Sequence, residues 1–267
     1  MAKVLVTGAT GNVGRQVVHQ LLRSTGAAVR AVARNVTGLS ADVEPVSADL
    51  ADPGAFAAAL GGIDAVFLIW PLHTAEALPA VLDAVGDRRL VFLGTGGVRD
   101  LDMVRQQQML GANSVFIRPS TFAANALWWA PQIRAGDVVR GAFGELAVSM
   151  LHERDIAAVA VRALLDDSPD AAYALTGPEV LSQAEQVRII GAALGRPIRW
   201  QEVSRTEARQ QMLADGFPRS FVDVLLATYA AMLTQPPPLV TGTVEAATGV
   251  PARTFRQWAD DHADDFR

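Results

Sequence analysis

Along the first half of the chain, short continuous apolar runs alternate with stretches in which apolar residues recur at helical spacing. The runs at 3–7, 28–33, 43–48, 65–69, 90–93 and 115–118 read as six strands. The run Ala65-Val-Phe-Leu-Ile69 has no polar position, the pattern of a strand covered on both faces. Helical periodicity fills 13–22, 53–60, 73–85 and 101–110. Regular alternation of strand and helix predicts parallel pairing with right-handed crossovers, a doubly wound α/β sheet.

The remaining part is less regular. The pattern predicts a helix over 120–133 containing the adjacent Trp128 and Trp129, a hairpin over 138–149 with Gly141 and Gly144, and an amphipathic helix over 153–165 that returns to the main sheet. A strand, helix and strand follow at 173–175, 182–194 and 198–203, where Ser182 and Glu185 form a capping-box pattern. Helices are expected over 205–214 and 219–233. Pro236 to Pro238 lack amide donors and end the second of them, and a last helix covers 251–262.

Composition narrows the function classes. A length of 267 residues with 50% hydrophobic content allows one large domain with a smaller lobe. A net charge of −5 with no basic run argues against a nucleic acid or anionic lipid partner. With 0 cysteines, thiol nucleophiles, disulfides and thiolate metal sites are excluded. His19, His73, His152 and His262 lack zinc-ligand spacing, so no metal is expected. The chain enters its first strand without a secretory leader pattern and has no membrane-length apolar run, so a cytoplasmic protein is expected. The acidic end, Asp260, Asp261, Asp264 and Asp265, reads as a solvated helix face.

The chemistry begins where the first strand ends. Gly8, Gly11 and Gly14 follow it at once and open the first helix, whose unpaired N–H groups and positive dipole end suit a pyrophosphate. Gly8 permits the tight turn, Gly11 lets backbone approach the phosphates and Gly14 packs helix on strand. Thr10, Asn12 and Val13 complete the turn, and Arg15 follows it.

The segment Thr7-Gly8-Ala9-Thr10-Gly11-Asn12-Val13-Gly14-Arg15 resembles the cofactor turn of the atypical short-chain dehydrogenase/reductases, in particular their NmrA-like branch. That branch includes NADPH-dependent quinone oxidoreductases, triphenylmethane reductases and redox-sensing regulators. The resemblance implies a Rossmann domain over 1–122, rejoined by the helix at 153–165, and a smaller, mostly helical substrate-binding lobe over 123–267, with a cleft above the strand tips. It also implies that Asp49, with Leu50 beside it, meets the adenine. Ile69, Trp70, Pro119 and Phe122 then join the cofactor site, and Asn125, Trp128 and Trp129 the substrate site.

The second strand ends Ala33-Arg34-Asn35 instead of with the acidic residue that takes a ribose hydroxyl. An arginine fork suits a 2′-phosphate, with Arg15 as its partner, so NADPH is expected and NADH is the weaker alternative.

Classical members of the family that the chain resembles reduce a ketone with a tyrosine that has a lysine four residues on, the phenol acting as general acid. Neither Tyr173 nor Tyr229 has one, and Lys3 is the only lysine. The resemblance puts Thr95 at the position of the family's strand-five serine, a candidate catalytic hydroxyl, where a threonine would equally cap a turn. The reduced product of a quinone or dye cation is stabilised by aromaticity or charge neutralisation and can take any proton it needs from water, so positioning can suffice. The activity that the resemblance implies is hydride transfer from NADPH to a small-molecule quinone-like or polycyclic aromatic acceptor, which Trp128 and Trp129 could stack. The alternatives are an NADP(H)-binding redox sensor of the NmrA type and a same-fold isomerase or cyclase acting on an aromatic metabolite. Nothing in the pattern decides for or against a homo-oligomer.

Overall fold

The computed structural model describes residues 2–24, 26–72, 74–94 and 103–267. Through Pro119 the order is β1 (Lys3–Thr7), α1 (Asn12–Ser24), β2 (Ala28–Ala33), β3 (Glu44–Ser47), α2 (Pro53–Ala59), β4 (Ala65–Ile69), α3 (Leu78–Val85), β5 (Arg89–Leu93), α4 (Met103–Gln108) and β6 (Ser114–Pro119). Then come β7 (Thr121–Phe122), a 3₁₀ turn (Ala123–Trp129), α5 (Ala130–Ala135), β8 (Val138–Gly141), β9 (Ala147–Leu151), α6 (Glu153–Leu165), β10 (Ala172–Leu175) and β11 (Val180–Ser182). The chain ends with α7 (Gln183–Ala193), β12 (Arg199–Glu202), α8 (Arg205–Ala214), α9 (Arg219–Met232), α10 (Thr243–Thr248), α11 (Phe255–Asp261) and a closing 3₁₀ turn.

These elements form two units. The first holds 1–119, 153–175 and 243–250. Its sheet has 7 strands in the order β10-β6-β5-β4-β1-β2-β3, parallel throughout. Strand order reverses between β1 and β4, the switch point at which doubly wound sheets place their ligands. Phe56 of α2 and Leu78, Val81 and Val85 of α3 pack with Val66, Leu68 and Phe92 on one face. Alternation turns Phe67 and Val91 to the other face, where α1 and α6 pack together. Register at the switch point is pinned by Thr7, whose Oγ1 accepts the Ile69 amide at 2.8 Å. Asp52 caps α2 by accepting from the amides of Gly54 and Ala55, and Pro53 fits its first turn.

The second unit holds 120–152, 176–242 and 251–267. Its core gathers Ile133, Val139, Leu146, Val148, Val187, Ile190, Phe255, Trp258 and Phe266. Two small sheets, β11-β9-β7 and β12-β8, lie in it.

Here the structure departs from the periodicity. The hairpin expected over 138–149 does not form: β8 pairs in parallel with β12, and β9 pairs with β11 and β7. Gly141 and Gly144 read as turn residues, but they make room for Trp200. A Cβ at Gly141 would stand 2.7 Å from Trp200 Cζ2, and one at Gly144 would stand 2.8 Å from Trp200 Cδ1. The helix expected over 120–133 becomes strand, 3₁₀ turn and α5, because Pro131 is tolerated only in a first turn. The strand expected at 173–175 joins β6 in the first unit instead of the piece that follows it. The last helix begins at Phe255, where Thr254 and Gln257 form a capping box, and α10 was not signalled. The carboxylates of Asp260, Asp261, Asp264 and Asp265 meet Arg256, His152, Arg267 and His262 respectively.

Candidate functional site

In the first unit the backbone turns sharply between β1 and α1. Gly8 has φ +60°, a left-handed value that favours glycine. The Gly11 amide donates to the Gly8 carbonyl at 2.9 Å, and the Arg15 amide donates to Gly11 at 3.1 Å, the first bond of the helix. The amides of Asn12, Val13 and Gly14 therefore have no intrahelical acceptor, and the first turn carries no acidic side chain. Gly14 is buried so tightly that a Cβ would lie 2.7 Å from the Gly8 carbonyl carbon. Gly8, Thr10, Gly11 and Asn12 are exposed, while Val13 and Gly14 are buried beneath them. Free amides, open glycine backbone and no carboxylate make a cradle that fits a pyrophosphate.

The neighbouring strand ends supply the rest. Pairing of Thr7 with Val32 sets the β2 tip beside the glycine turn. Arg34 is exposed there, its carbonyl accepts from Ser47 Oγ at 3.2 Å, and no carboxylate among the described residues pairs with its guanidinium. Arg15 Nη2 donates to Asn12 Oδ1 at 3.1 Å. Asp49, half-buried after β3, turns one oxygen onto the Ala51 amide at 2.9 Å and leaves the capping of α2 to Asp52. Leu50 and Trp70 are core residues, and the Trp70 indole donates to the Thr74 carbonyl at 2.9 Å. Their side chains are thus committed to packing, and backbone is what they can offer a cofactor. Ile69, half-buried at the end of β4, lies against Gly8. Pro119 ends β6, and Thr95 falls outside the described residues.

In the second unit the 3₁₀ turn after Phe122 brings Asn125, Trp128 and Trp129 to one pocket of about 810 Å³, counting the part open to solvent. Trp128 stands edge-on to Phe217 and Phe221, at 6.1 and 5.4 Å between ring centres. Trp129 meets Trp200 edge-on at 5.8 Å and packs on the core. Met150, Met212 and Leu226 extend the apolar wall. Phe122 lies in β7 on the approach to this turn.

One carboxylate holds the wall together. Glu202 accepts from the amides of Phe143 and Gly144 at 2.7 and 2.8 Å and from the Trp200 indole at 2.7 Å. Phe143 has φ +68°, a strained value for a residue with a side chain, and the Glu202 contacts maintain it. Tyr229, on α9, also lines the pocket, and burial pushes its phenol up to about 12. Among the described residues its hydroxyl has no hydrogen-bond partner. Tyr173 is in the first unit, with its hydroxyl accepting from the Asp170 amide at 3.1 Å. The sequence singles out Trp128 and Trp129, which line this pocket, but not Tyr229, Trp200 or Glu202. Only the helical register of α9, which sets Leu226 and Tyr229 three residues apart on one face, pointed to the first.

Comparison with known proteins agrees with this geometry. Residues 8–207 match the NAD(P)H-binding family. The (4-alkanoyl-5-oxo-2,5-dihydrofuran-3-yl)methyl phosphate reductase of Streptomyces griseus is 37% identical, over 98% of this chain and 99% of its own. The NAD(P)H azoreductase of Xenophilus azovorans is 34% identical, over 98% and 99%. Among solved structures, the triphenylmethane reductase of Citrobacter sp. complexed with NADP(H) superposes with a TM-score of 0.81 at 18% identity, covering 97% of this chain and 99% of that one. The quinone oxidoreductase QOR2 of Escherichia coli complexed with NADPH gives 0.77 at 20%, covering 97% and 99%. The chain belongs to the NAD(P)H-binding family and is an oxidoreductase, and the NmrA-like resemblance stands. No helix among the described residues is long and apolar enough to cross a membrane.

Proposed function

We propose that this oxidoreductase uses NADPH to reduce a flat, conjugated, electron-poor acceptor of quinone-like or polycyclic aromatic type. The observation that carries the reading is the pocket walled by Trp128, Trp129, Trp200 and Phe217, whose ring faces and edges match such an acceptor. Two relatives are named as reductases of small molecules, one an NAD(P)H azoreductase and one a (4-alkanoyl-5-oxo-2,5-dihydrofuran-3-yl)methyl phosphate reductase. Gly8, Thr10, Gly11, Asn12, Val13, Gly14 and Arg15 hold the pyrophosphate end, and Arg34 takes the 2′-phosphate. Asp49 and the backbone at Leu50 border the adenine, while Ile69, the backbone at Trp70 and Pro119 border the nicotinamide side.

When bound, NADPH supplies a hydride. The chain's own residues bind, orient and exclude water. Trp128 and Trp129 hold the acceptor plane, Asn125 offers it an amide, and the apolar walls keep water from the reacting face. No lysine-paired tyrosine is required, because the reduced product is stabilised by aromaticity and can take its proton from solvent. The reading is tested by NADPH oxidation across a panel of naphthoquinones, azo dyes and triarylmethane dyes, beside NADPH binding by calorimetry. Turnover with at least one class supports it. Binding without turnover of any class overturns it in favour of a cofactor-sensing regulator.

A further inference from the structure

The pocket's polar side chains are mostly committed to the protein. Gln132 donates to and accepts from the Arg140 backbone, Gln183 donates to the carbonyls of Ala142 and Phe143, Gln186 to Leu181, and Gln211 to Asp215. Tyr229, like Asn125, is not among them. It packs on the core of the second unit, lines the apolar pocket from α9, and its hydroxyl has neither donor nor acceptor among the described residues. Half-buried on an apolar wall and unpaired to protein, this hydroxyl is open to a ligand in the pocket.

We propose that the Tyr229 hydroxyl donates a hydrogen bond to a carbonyl oxygen of the acceptor and holds the oxyanion that forms there on reduction. The proposal rests on the reading of the pocket as the acceptor site, and the hydroxyl favours acceptors that carry an oxygen at that place. A quinone that accepts a hydride keeps the electron pair on its remaining oxygen as an oxyanion, and water supplies the proton that completes the quinol. Tyr229 keeps its own proton throughout. Its raised pKa fits this role: the phenol is too weak an acid to surrender the proton to a quinol oxyanion, yet it is present as O–H over the whole physiological range. It therefore differs from the lysine-activated tyrosine of ketone reduction, which gives its proton away.

The test compares acceptors with and without oxygen in the Tyr229→Phe protein, with Tyr173→Phe as the control tyrosine. Expected with 2-methyl-1,4-naphthoquinone is a kcat/KM lower by roughly 10- to 100-fold, the range for one hydrogen bond to a charged partner. A triarylmethane dye cation without oxygen should be reduced at the wild-type rate, and Tyr173→Phe should change neither. A second readout needs no turnover: quenching of tryptophan fluorescence by the naphthoquinone and by 2-methylnaphthalene. The substitution should weaken binding of the quinone a few fold and leave the hydrocarbon unchanged. Equal losses for both members of either pair, or no loss for the quinone, overturn the proposal. If the wild type reduces no acceptor, the proposed function fails by itself, and the binding pair alone judges the tyrosine.

Discussion

Gly14 in the first turn of α1 packs against the Gly8 peptide so closely that a Cβ would stand 2.7 Å from the Gly8 carbonyl carbon. Gly8 holds φ +60°, so neither residue can yield without moving the turn that carries the unpaired amides. Gly14→Ala is expected to overpack this point at a cost of about 1–3 kcal/mol and to weaken cofactor binding as the turn shifts. Gly11→Asp is expected to behave differently. Its Cβ would lie 3.2 Å from the Gly8 oxygen, a small adjustment, so the fold survives while the added carboxylate repels the pyrophosphate. Thermal unfolding with calorimetric NADPH titration separates the two: stability and affinity fall together in the first, affinity alone in the second.

On the proposed reading, Arg34 carries the choice of cofactor. No carboxylate among the described residues neutralises it, and the strand tip offers no acid to a ribose hydroxyl. Removing one charge-assisted bond costs about 1.5–3 kcal/mol, so Arg34→Ala should weaken NADPH by roughly 10- to 150-fold. NADH affinity should barely change, and Arg34→Asp should invert the preference. The ratio of the two dissociation constants cancels general damage to the protein. Equal losses would make Arg34 a surface residue only.

The first unit was legible in the sequence and the second largely was not. Buried parallel strands such as Ala65–Ile69 are apolar at nearly every position, so periodicity exposes them, and the turn at Gly8, Gly11 and Gly14 announces its own geometry. The pairing of β8 with β12, by contrast, joins Val138 to Arg199 across sixty residues and depends on Trp200 fitting against Gly141 and Gly144. A local window sees two glycines and reads a turn. Trp128 and Trp129 could be picked out because flat aromatics beside Asn125 suggest a ligand, whereas Tyr229 and Glu202 acquire meaning only when α9 and β12 are brought to the pocket.

Glu202 should prove to be the fastener of that wall. Its carboxylate takes three hydrogen bonds, two from the backbone at Phe143 and Gly144 and one from the Trp200 indole. Glu202→Ala is expected to cost about 2 kcal/mol, a Tm drop of about 4–8 °C. Acceptor binding should weaken as the wall loosens, with NADPH affinity unchanged. A loss of NADPH affinity as large as the loss for the acceptor would contradict this division.

Stability should also fall in acid for a stated reason. The Ser182 amide, and then its hydroxyl, hold the Glu185 carboxyl below its ordinary value of 4.5, and the Ser204 hydroxyl and amide do the same for Glu207. A folded-state pKa below the unfolded one adds stability that is present above the unfolded value and is lost as pH falls through the folded value. Glu185→Gln keeps a capping-box residue while removing the titration. Its Tm near neutrality should lie below the wild type, and its decline between about pH 5 and 3 should be shallower, so that the two converge in acid.

Anaerobic product analysis tests the proposed reaction most directly. Protein, NADPH and 2-methyl-1,4-naphthoquinone are mixed without oxygen, and NADP⁺ and quinol are quantified together. One quinol formed for each NADPH consumed, at a rate that Trp128→Ala lowers, is the expected result. NADPH that stays bound and unoxidised beside every acceptor class offered would contradict it.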